Sequence, residues 1–133
     1  MAIADGNGLP IAISVGSASP HEVTLVEETV AEHVTLCLPA KLIGDKAYDS
    51  DPLDHRLATE WGIELVAPHR RGRKRPPTQD GRVLRRYKRR WKIERLFAWL
   101  QQFRRVVVRY ESKLQNYVGF VKLAAIKILL RQF

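Results

Sequence analysis

Short apolar runs, separated by turn-forming residues, alternate with longer amphipathic segments, and this alternation constrains the fold more than any other feature. Residues 1–4 and 9–15 are apolar and are joined by Asp-Gly-Asn-Gly, which is typical of a β-hairpin. Residues 41–44 and 63–67 are two further short strands. The predicted order is β-β-α-β-α-β-α-α, which indicates an α/β fold with a mixed sheet flanked by helices. We expect residues 1–133 to form one domain.

The helical segments differ strongly in character. The predicted helices cover residues 23–31, 53–61, 82–104 and the stretch that follows Ser112. The third is long and basic, and the fourth is apolar with Ser112 as its expected N-cap. Residues 68–81 are a basic loop, because two consecutive prolines and two glycines exclude a helix there.

The positive charge is concentrated in the second half of the chain. The net charge is +9, yet residues 1–69 hold three Lys/Arg and eleven Asp/Glu, whereas residues 70–105 hold fifteen Lys/Arg and two acids. Such segregation predicts a cationic face for a polyanion. Binding to a membrane surface is the competing interpretation, but the basic region begins in a Pro/Gly-rich loop, which favours nucleic acid over a membrane.

The cellular setting is also suggested by the sequence. A single cysteine, Cys37, excludes an internal disulfide framework and any cysteine-based zinc site. No secretory signal is visible, and lysines interrupt the most apolar stretch, residues 118–130, so it should not span a bilayer. We expect a cytoplasmic, nucleoid-associated protein.

Glu94 is the only acid among the thirty residues 81–110. At 100° per residue, Tyr87, Arg90, Glu94 and Gln101 lie on one stripe of the predicted helix. Ile93, Leu96, Leu100 and Phe103 form an adjacent apolar face that should pack on the sheet. The simplest interpretation is an i,i+4 ion pair between Arg90 and Glu94, but such a pair does not explain why the surrounding acids are absent.

A second candidate acid, Asp45, follows the strand of residues 41–44 directly. Ligands in α/β proteins commonly bind where strands end at their carboxyl edge. The neighbouring Asp51 and Asp54 are better explained as helix-capping acids. Carboxylates that converge within a positive surface fit phosphodiester chemistry: the acids bind Mg²⁺ or Mn²⁺ and the arginines bind the phosphate backbone.

Two spaced motifs carry a resemblance to a known family. The segment Tyr87-Lys-Arg-Arg90-Trp-Lys-Ile-Glu94 resembles the Tyr-x2-Arg-x3-Glu-x6-Lys signature of the DDE transposases of bacterial insertion sequences, in the group of families numbered four and five. Gln101 stands where that signature has lysine. Residues 44–50, Gly-Asp-Lys-Ala-Tyr-Asp-Ser, resemble the motif around the second catalytic acid.

The resemblance implies a ribonuclease H-like fold and a role for each matching residue. Asp45 and Glu94 would be catalytic metal ligands for Mg²⁺ or Mn²⁺, and Tyr48 and His21 would be accessory residues. The implied DNA-binding residues are Arg73, Lys74, Arg75, Tyr87, Lys88, Arg89, Arg90 and Gln101. The expected partners are the insertion-sequence ends and target DNA, within a homo-oligomeric complex.

One part of the family pattern is not visible in these residues. The first central strand, which would carry the first catalytic Asp, has no counterpart, and Asp5 matches a turn residue. The chain therefore resembles the C-terminal portion of a transposase: a frameshift partner of an upstream frame, a truncated copy or a degraded remnant. We expect catalysis only when an upstream fragment or fused frame complements it. A non-catalytic, basic DNA-binding module is the alternative.

Overall fold

The computed structural model describes residues 1–16, 21–78 and 81–132. Its strands are β1 Ala2–Ala4, β2 Pro10–Ile13, β3 Lys41–Ile43 and β4 Glu64–Val66. Its α-helices are α1 Leu25–Ala31, α2 Asp51–Glu60, α3 Gly81–Leu84, α4 Trp91–Leu100, α5 Arg104–Val107 and α6 Leu114–Leu130. Short 3-10 helices form at Glu22–Thr24, Lys46–Tyr48 and Arg85–Arg90. The mixed α/β character expected from the sequence is confirmed.

The strands pair in two separate sheets, so the single mixed sheet that we expected is not formed. Strands β1 and β2 are antiparallel, and β3 and β4 are parallel, with Leu42 opposite Leu65. Each pair buries apolar side chains, but within the described residues no strand bridges β1 and β3. The four strands were predicted correctly. Their union into one sheet was wrong, because a single sheet requires backbone hydrogen bonds that join the β1–β2 pair to the β3–β4 pair, and the described residues form none.

The hairpin turn is held by its own aspartate and by α4. The Asp5 carboxylate accepts hydrogen bonds from the N–H groups of Asn7 and Leu9, each at 2.8 Å. Lys92 and Arg95, on α4, donate to the carbonyls of Gly6 and Asn7. The turn therefore connects the β1–β2 sheet to the helix that carries Glu94, and Asp5 serves the turn as expected.

Two hydrophobic clusters make up the core. The first joins the hairpin, α1, α2 and β4 and contains Ile3, Ala12, Val26, Val30, Leu53, Leu57, Ile63 and Leu65. The second joins α4 and α6 and contains Leu96, Leu100, Ala124 and Ile128, with residues of both hairpin strands packed against it. The predicted apolar face of the Glu94 helix is confirmed, since Leu96 and Leu100 are buried and Ile93 and Phe103 are partly buried.

The basic segment is not the continuous helix over residues 82–104 that we predicted. It consists of α3, the 3-10 helix Arg85–Arg90, α4 and α5, and Phe103 before α5 is extended. Arg85, Arg86, Arg89 and Arg90 form two like-charged i,i+4 pairs, and such pairs destabilise an α-helix. A 3-10 helix aligns Arg85 with Lys88 and Arg86 with Arg89, which are also like-charged pairs, so charge repulsion does not distinguish the two kinds of helix.

The last helix follows the prediction except at its start. The N-cap of α6 is Lys113, without a side-chain cap, and not Ser112. The inward face of α6 is made of Val121, Ala124, Ala125 and Ile128. Among the helices of the described residues, none is long and apolar enough to cross a membrane.

Candidate active site

A cavity of about 640 Å³ opens between the edges of β1 and β3. Its walls come from both strands, the hairpin's exit, the turn after β3 and the first part of α4. Its polar lining is provided by Glu22, Asp45, Tyr48, Arg90 and Glu94, and apolar side chains such as Leu42, Ile93 and Phe97 complete the walls. The structure thus places Asp45, Tyr48, Arg90 and Glu94, four residues singled out from the sequence, around one space.

Asp45 is held by the local backbone. It is the N-cap of the 3-10 helix Lys46–Tyr48, and its Oδ1 accepts a hydrogen bond from the N–H of Ala47 at 2.7 Å. Gly44 lies under the Tyr48 ring so closely that a Cβ there would stand 2.8 Å from Tyr48 Cδ2. The sequence Gly-Asp-Lys-Ala-Tyr is therefore a tight unit in which glycine admits the tyrosine ring, and Asp45 and Tyr48 line the same cavity.

Glu94 contacts Arg90, and Arg90 in turn contacts Tyr87. Arg90 Nη2 lies 3.1 Å from Glu94 Oε1, and Arg90 Nη1 donates to the Tyr87 hydroxyl at 2.9 Å. The side chains of Arg90 and Glu94 are 44% and 60% exposed, so this ion pair contributes little to stability. A weak pair leaves both charged groups available to a ligand.

The fourth residue of the predicted stripe lies apart. Gln101 follows the end of α4 and is exposed, and it does not line the cavity. Glu94 and Gln101 both belong to α4 and its C-cap and keep their helical register, whereas the 3-10 segment before α4 changes the register of Tyr87 and Arg90 relative to them. Tyr87 and Arg90 stay near Glu94 through their side-chain contacts.

Tyr48 is a poor acid in this environment. Burial is the main cause that raises its pKa, and the negative charges of Glu22 and Asp45 raise it further, to about 12. The phenol is therefore protonated at neutral pH and can donate a hydrogen bond.

The structure places Glu22, and not the predicted accessory residue His21, at the cavity. His21 is exposed at the start of the 3-10 helix Glu22–Thr24, where its carbonyl accepts hydrogen bonds from Thr24, and its side chain does not line the cavity. Glu22 does line it. We had not singled out Glu22, since an acid in the first turn of a helix ordinarily has only a local role.

The basic loop after β4 is bound to the acidic turn before α2. Asp49 accepts hydrogen bonds from His69 Nδ1 at 2.9 Å, from the N–H of Arg70 at 2.8 Å and from Arg73 Nη1 at 2.9 Å. The N–H of Thr78 donates to His69 Nε2 at 3.1 Å, which leaves Nδ1 as the donor to Asp49. The sequence assigned no role to His69.

Asp51, like Asp49, binds arginines of the basic loop. It is not the helix cap that we predicted. Ser50 is the N-cap of α2, and Asp51 accepts hydrogen bonds from Arg73 Nη2 at 2.6 Å and Arg75 Nη1 at 2.8 Å. The Arg73 side chain is only 13% exposed. Arg73 is therefore engaged by carboxylates, whereas the neighbouring Lys74 is exposed.

Replacing Asp49 with asparagine should loosen this loop. Burial opposes ionisation of Asp49, but hydrogen bonds from Arg70 and His69 and the charge of Arg73 outweigh it, so the pKa lies below the ordinary 3.8. Asp49 therefore stabilises the fold above pH 3.8, and this contribution is lost as pH falls through the lower folded-state pKa. We expect D49N to lose about 1–3 kcal/mol of unfolding free energy at neutral pH. Thermal unfolding and trypsin cleavage within residues 70–75 measure the effect.

Asp54 provides the matched control. Burial, followed by the charges of Asp51 and Asp49, raises the pKa of Asp54, so its ionised form is disfavoured in the fold. D54N should leave stability at neutral pH unchanged or slightly higher. Equal destabilisation by the two variants would show that the Asp49 contacts do not hold the loop.

A cationic face lies beside the cavity. Arg85, Arg86, Lys88 and Arg89 on the 3-10 helix are exposed, and within the described residues none of them forms an ion pair. Farther along, Arg95 lies between the rings of Trp91 and Trp99, with its Cζ 4.9 and 4.7 Å from their centroids. Trp91 remains half exposed. Together these side chains provide positive charge and an aromatic surface, a combination that suits a nucleic-acid backbone and bases.

The donors of the cavity fit a hard divalent cation. Asp45 and Glu94 supply carboxylate oxygens, the ligands that Mg²⁺ and Mn²⁺ prefer, and Oδ2 of Asp45 makes no hydrogen bond within the described part of the chain. No set of three His, Cys, Asp or Glu side chains in the described residues is placed to hold a metal ion. Two ligands from this chain are compatible with Mg²⁺, which commonly keeps several waters and binds substrate phosphate.

Comparison with known proteins agrees with this arrangement. The family model of the transposase DDE domain matches residues 1–128, and the chain belongs to that family. It is 32% identical over 130 residues to a protein assigned as the transposase for insertion sequence element IS402 of Burkholderia cepacia. It is 37% identical over 90 residues to the protein assigned to IS6501 of Brucella ovis.

The matches differ in how much of each protein they cover. The IS402 match spans 91% of this chain and 57% of the relative, and the IS6501 match spans 68% and 67%. This chain thus covers little more than half the length of the IS402 protein. No solved structure matches it.

Proposed function

We propose that this chain carries two of the carboxylates of a metal-dependent DNA cleavage and strand-transfer site, and that its function is DNA transposition. The observation that carries the proposal is that Asp45 and Glu94, which are distant in sequence, line one cavity beside an exposed cationic face. Membership of the transposase DDE domain family supports the same function.

Asp45 and Glu94 would hold Mg²⁺ or Mn²⁺, which activates a water or 3′-hydroxyl and stabilises the leaving oxygen of an in-line displacement. The N–H of Ala47 holds Asp45 Oδ1, so that Oδ2 is available to the cation. Glu94 would exchange its weak contact with Arg90 for a metal ligand position. Arg90 and Tyr87 would then bind the scissile phosphate, because they are already in mutual contact beside Glu94.

The DNA backbone would follow the exposed cations outside the cavity. Lys88 and Arg89 would contact phosphates directly, and Lys74 would do so from the basic loop. Arg73 would act mainly by holding this loop, because its guanidinium binds Asp49 and Asp51. Gln101 lies outside the cavity, so it would contact DNA away from the reacting phosphate.

The gap between β1 and β3 provides a place for a further strand. Both strands have an edge without a paired strand in the described residues, and the cavity with its apolar walls lies between them. We propose that an upstream transposase segment, on the same longer chain or a fused frame, adds a strand here with a third carboxylate. Catalysis would depend on it, and two such assemblies would act at the insertion-sequence ends.

A titration with Mn²⁺ tests the proposed metal site directly on the 133-residue chain. D45N should weaken Mn²⁺ binding at least about tenfold, since loss of a partner that only supports a ligand already costs 10–100-fold. D54N is the matched control, because Asp54 is also an acid but lines a different pocket and not this cavity. Calorimetry measures both affinities, and equal Mn²⁺ affinity of D45N and the unmodified chain would exclude Asp45 as a ligand.

A second candidate function is DNA binding without catalysis. The cations of the 3-10 helix Arg85–Arg90 favour it, because they could bind a phosphate backbone whether or not the cavity holds a metal ion. The two functions differ in what Glu94 does, since a binding module does not need this carboxylate.

A further inference from the structure

Arg70, in the basic loop, binds the turn that follows Asp45. Its Nε donates to the carbonyl oxygen of Lys46 at 3.0 Å, and its Nη2 donates to that of Ala47 at 2.6 Å. The two donors lie on one edge of the guanidinium group, and the two acceptors belong to consecutive peptide groups of the 3-10 helix Lys46–Tyr48. The contact is therefore bidentate, and it joins two segments that are remote in the chain.

The same two peptide groups bind Asp45 through their N–H groups. The peptide group that contains the Lys46 carbonyl also contains the N–H of Ala47, which donates to Asp45 Oδ1 at 2.7 Å. The next peptide group contains the N–H of Tyr48, which donates to the carbonyl of Asp45 at 3.1 Å. Because a peptide group is planar, a partner that fixes its C=O also fixes the direction of its N–H. Arg70 therefore acts on both hydrogen bonds that orient Asp45.

We propose that Arg70 is a positioning residue: its guanidinium fixes the two peptide groups that hold Asp45 and so keeps Oδ2 available to the metal ion. The inference rests on the proposed function of Asp45 as a metal ligand. A bound carbonyl also polarises its peptide group, which strengthens the hydrogen bond that the N–H donates. One arginine of the basic loop thus supports metal binding, besides the DNA contacts expected of the loop as a whole.

The main chain of Arg70 is held independently of its guanidinium. Its N–H donates to Asp49 Oδ2 at 2.8 Å, and Asp49 also binds His69 and Arg73. A substitution of the Arg70 side chain keeps this N–H, so the loop stays attached to the turn. Arg70 is exposed, so its replacement leaves the core intact. Arg70→Met, which keeps an unbranched aliphatic side chain, removes the bidentate contact and the charge.

Mn²⁺ affinity, measured by calorimetry on the whole chain, tests the positioning role. We expect R70M to weaken Mn²⁺ binding about tenfold, as is usual when a group that orients a metal ligand is lost. Loss of the charge alone would have the opposite sign, because a nearby cation repels Mn²⁺. Unchanged or tighter binding by R70M would therefore overturn the inference.

Arg71→Met is the matched control for charge. Arg71 is exposed in the same loop, and within the described part of the chain it makes no hydrogen bond to the turn. R71M should leave Mn²⁺ affinity unchanged or slightly higher. A loss in R71M equal to that in R70M would show that the bidentate contact is not the cause, and would overturn the inference.

Hydrogen exchange tests the contact without a metal ion. In R70M the amide protons of Ala47 and Tyr48 should exchange several-fold faster than in the unmodified chain, because their peptide groups are no longer held. The amide of Leu57, a buried residue of α2, should exchange at the same rate in both. Unchanged exchange at Ala47 and Tyr48, or equal acceleration at Leu57, would overturn the inference.

The double variant D45N/R70M tests whether Arg70 acts through Asp45. R70M should cost no further Mn²⁺ affinity when Asp45 is already replaced, because the two substitutions affect the same ligand. An equal loss in both backgrounds would show an independent effect and would overturn the inference. If D45N weakens binding and R70M does not, the inference alone fails. If D45N has no effect, the proposed metal site fails, and the inference fails with it.

Discussion

Replacement of Glu94 with glutamine is expected to reduce DNA cleavage about 10³-fold in a protein complemented by the upstream transposase segment. Glutamine keeps the size of the side chain but removes the charge that binds the metal ion. A lost metal ligand costs several kcal/mol of transition-state stabilisation, and about 4 kcal/mol corresponds to this factor. Because Glu94 is 60% exposed and its pair with Arg90 is weak, the fold should be unaffected.

The same variant separates catalysis from binding. E94Q should bind DNA as tightly as the unmodified protein, or slightly more tightly, because it removes a negative charge beside phosphate. Cleavage is followed on a labelled duplex and affinity by fluorescence anisotropy. Glu64→Gln is a suitable control, since Glu64 is an exposed acid that lies outside the cavity lined by Asp45 and Glu94. Unchanged cleavage by E94Q would instead support the non-catalytic DNA-binding module.

Neutralising the cationic face should have the second largest effect, on DNA affinity. A triple variant with glutamine at Arg86, Lys88 and Arg89 removes three exposed cations without touching the core. Each contact with phosphate contributes on the order of 1 kcal/mol, so the loss is roughly 10²-fold at low salt. The slope of log affinity against log salt should fall by about 0.9 for each phosphate contact that is lost.

Arg56 provides the control for general loss of charge. Arg56 binds Glu27 through three hydrogen bonds at 2.9–3.1 Å, and it lies on α2 away from the 3-10 helix. Arg56→Gln should have little effect on DNA affinity or on its salt dependence. If Arg56→Gln weakened DNA binding by as much for one removed charge as the triple variant does for each of its three, DNA would be bound by net charge and not by this face.

The elements of the fold were largely predictable because each depends on local properties of the chain. The Asp-Gly-Asn-Gly turn, the apolar runs and the amphipathic spacing of Leu96 and Leu100 indicate their own structure. The continuous helix predicted over residues 82–104 was wrong. The apolar spacing is helical throughout, and the charges of Arg85–Arg90 repel one another in either kind of helix, so neither pattern indicates the change to a 3-10 helix.

The anchoring of the basic loop was not predictable. Asp49 and Asp51 have the composition of an ordinary turn before a helix, and Arg73 and Arg75 have that of a DNA-binding loop. Their hydrogen bonds join residues more than twenty positions apart, and nothing in their spacing indicates the contact. The same holds for Glu22, which lines the cavity together with Asp45 and Tyr48 from a different element.

The sequence by itself determined the family, through the spacing of Tyr87, Arg90 and Glu94 and the Gly-Asp motif at residue 45, and it determined which half of the chain is cationic. Both are properties of residue identity and of separation along the chain. Only the tertiary structure decided which of these groups share a cavity, which arginines are already bound to carboxylates and that the strands form two sheets. These outcomes depend on distances between segments remote in sequence, which are set by packing of the whole chain and not by any local pattern.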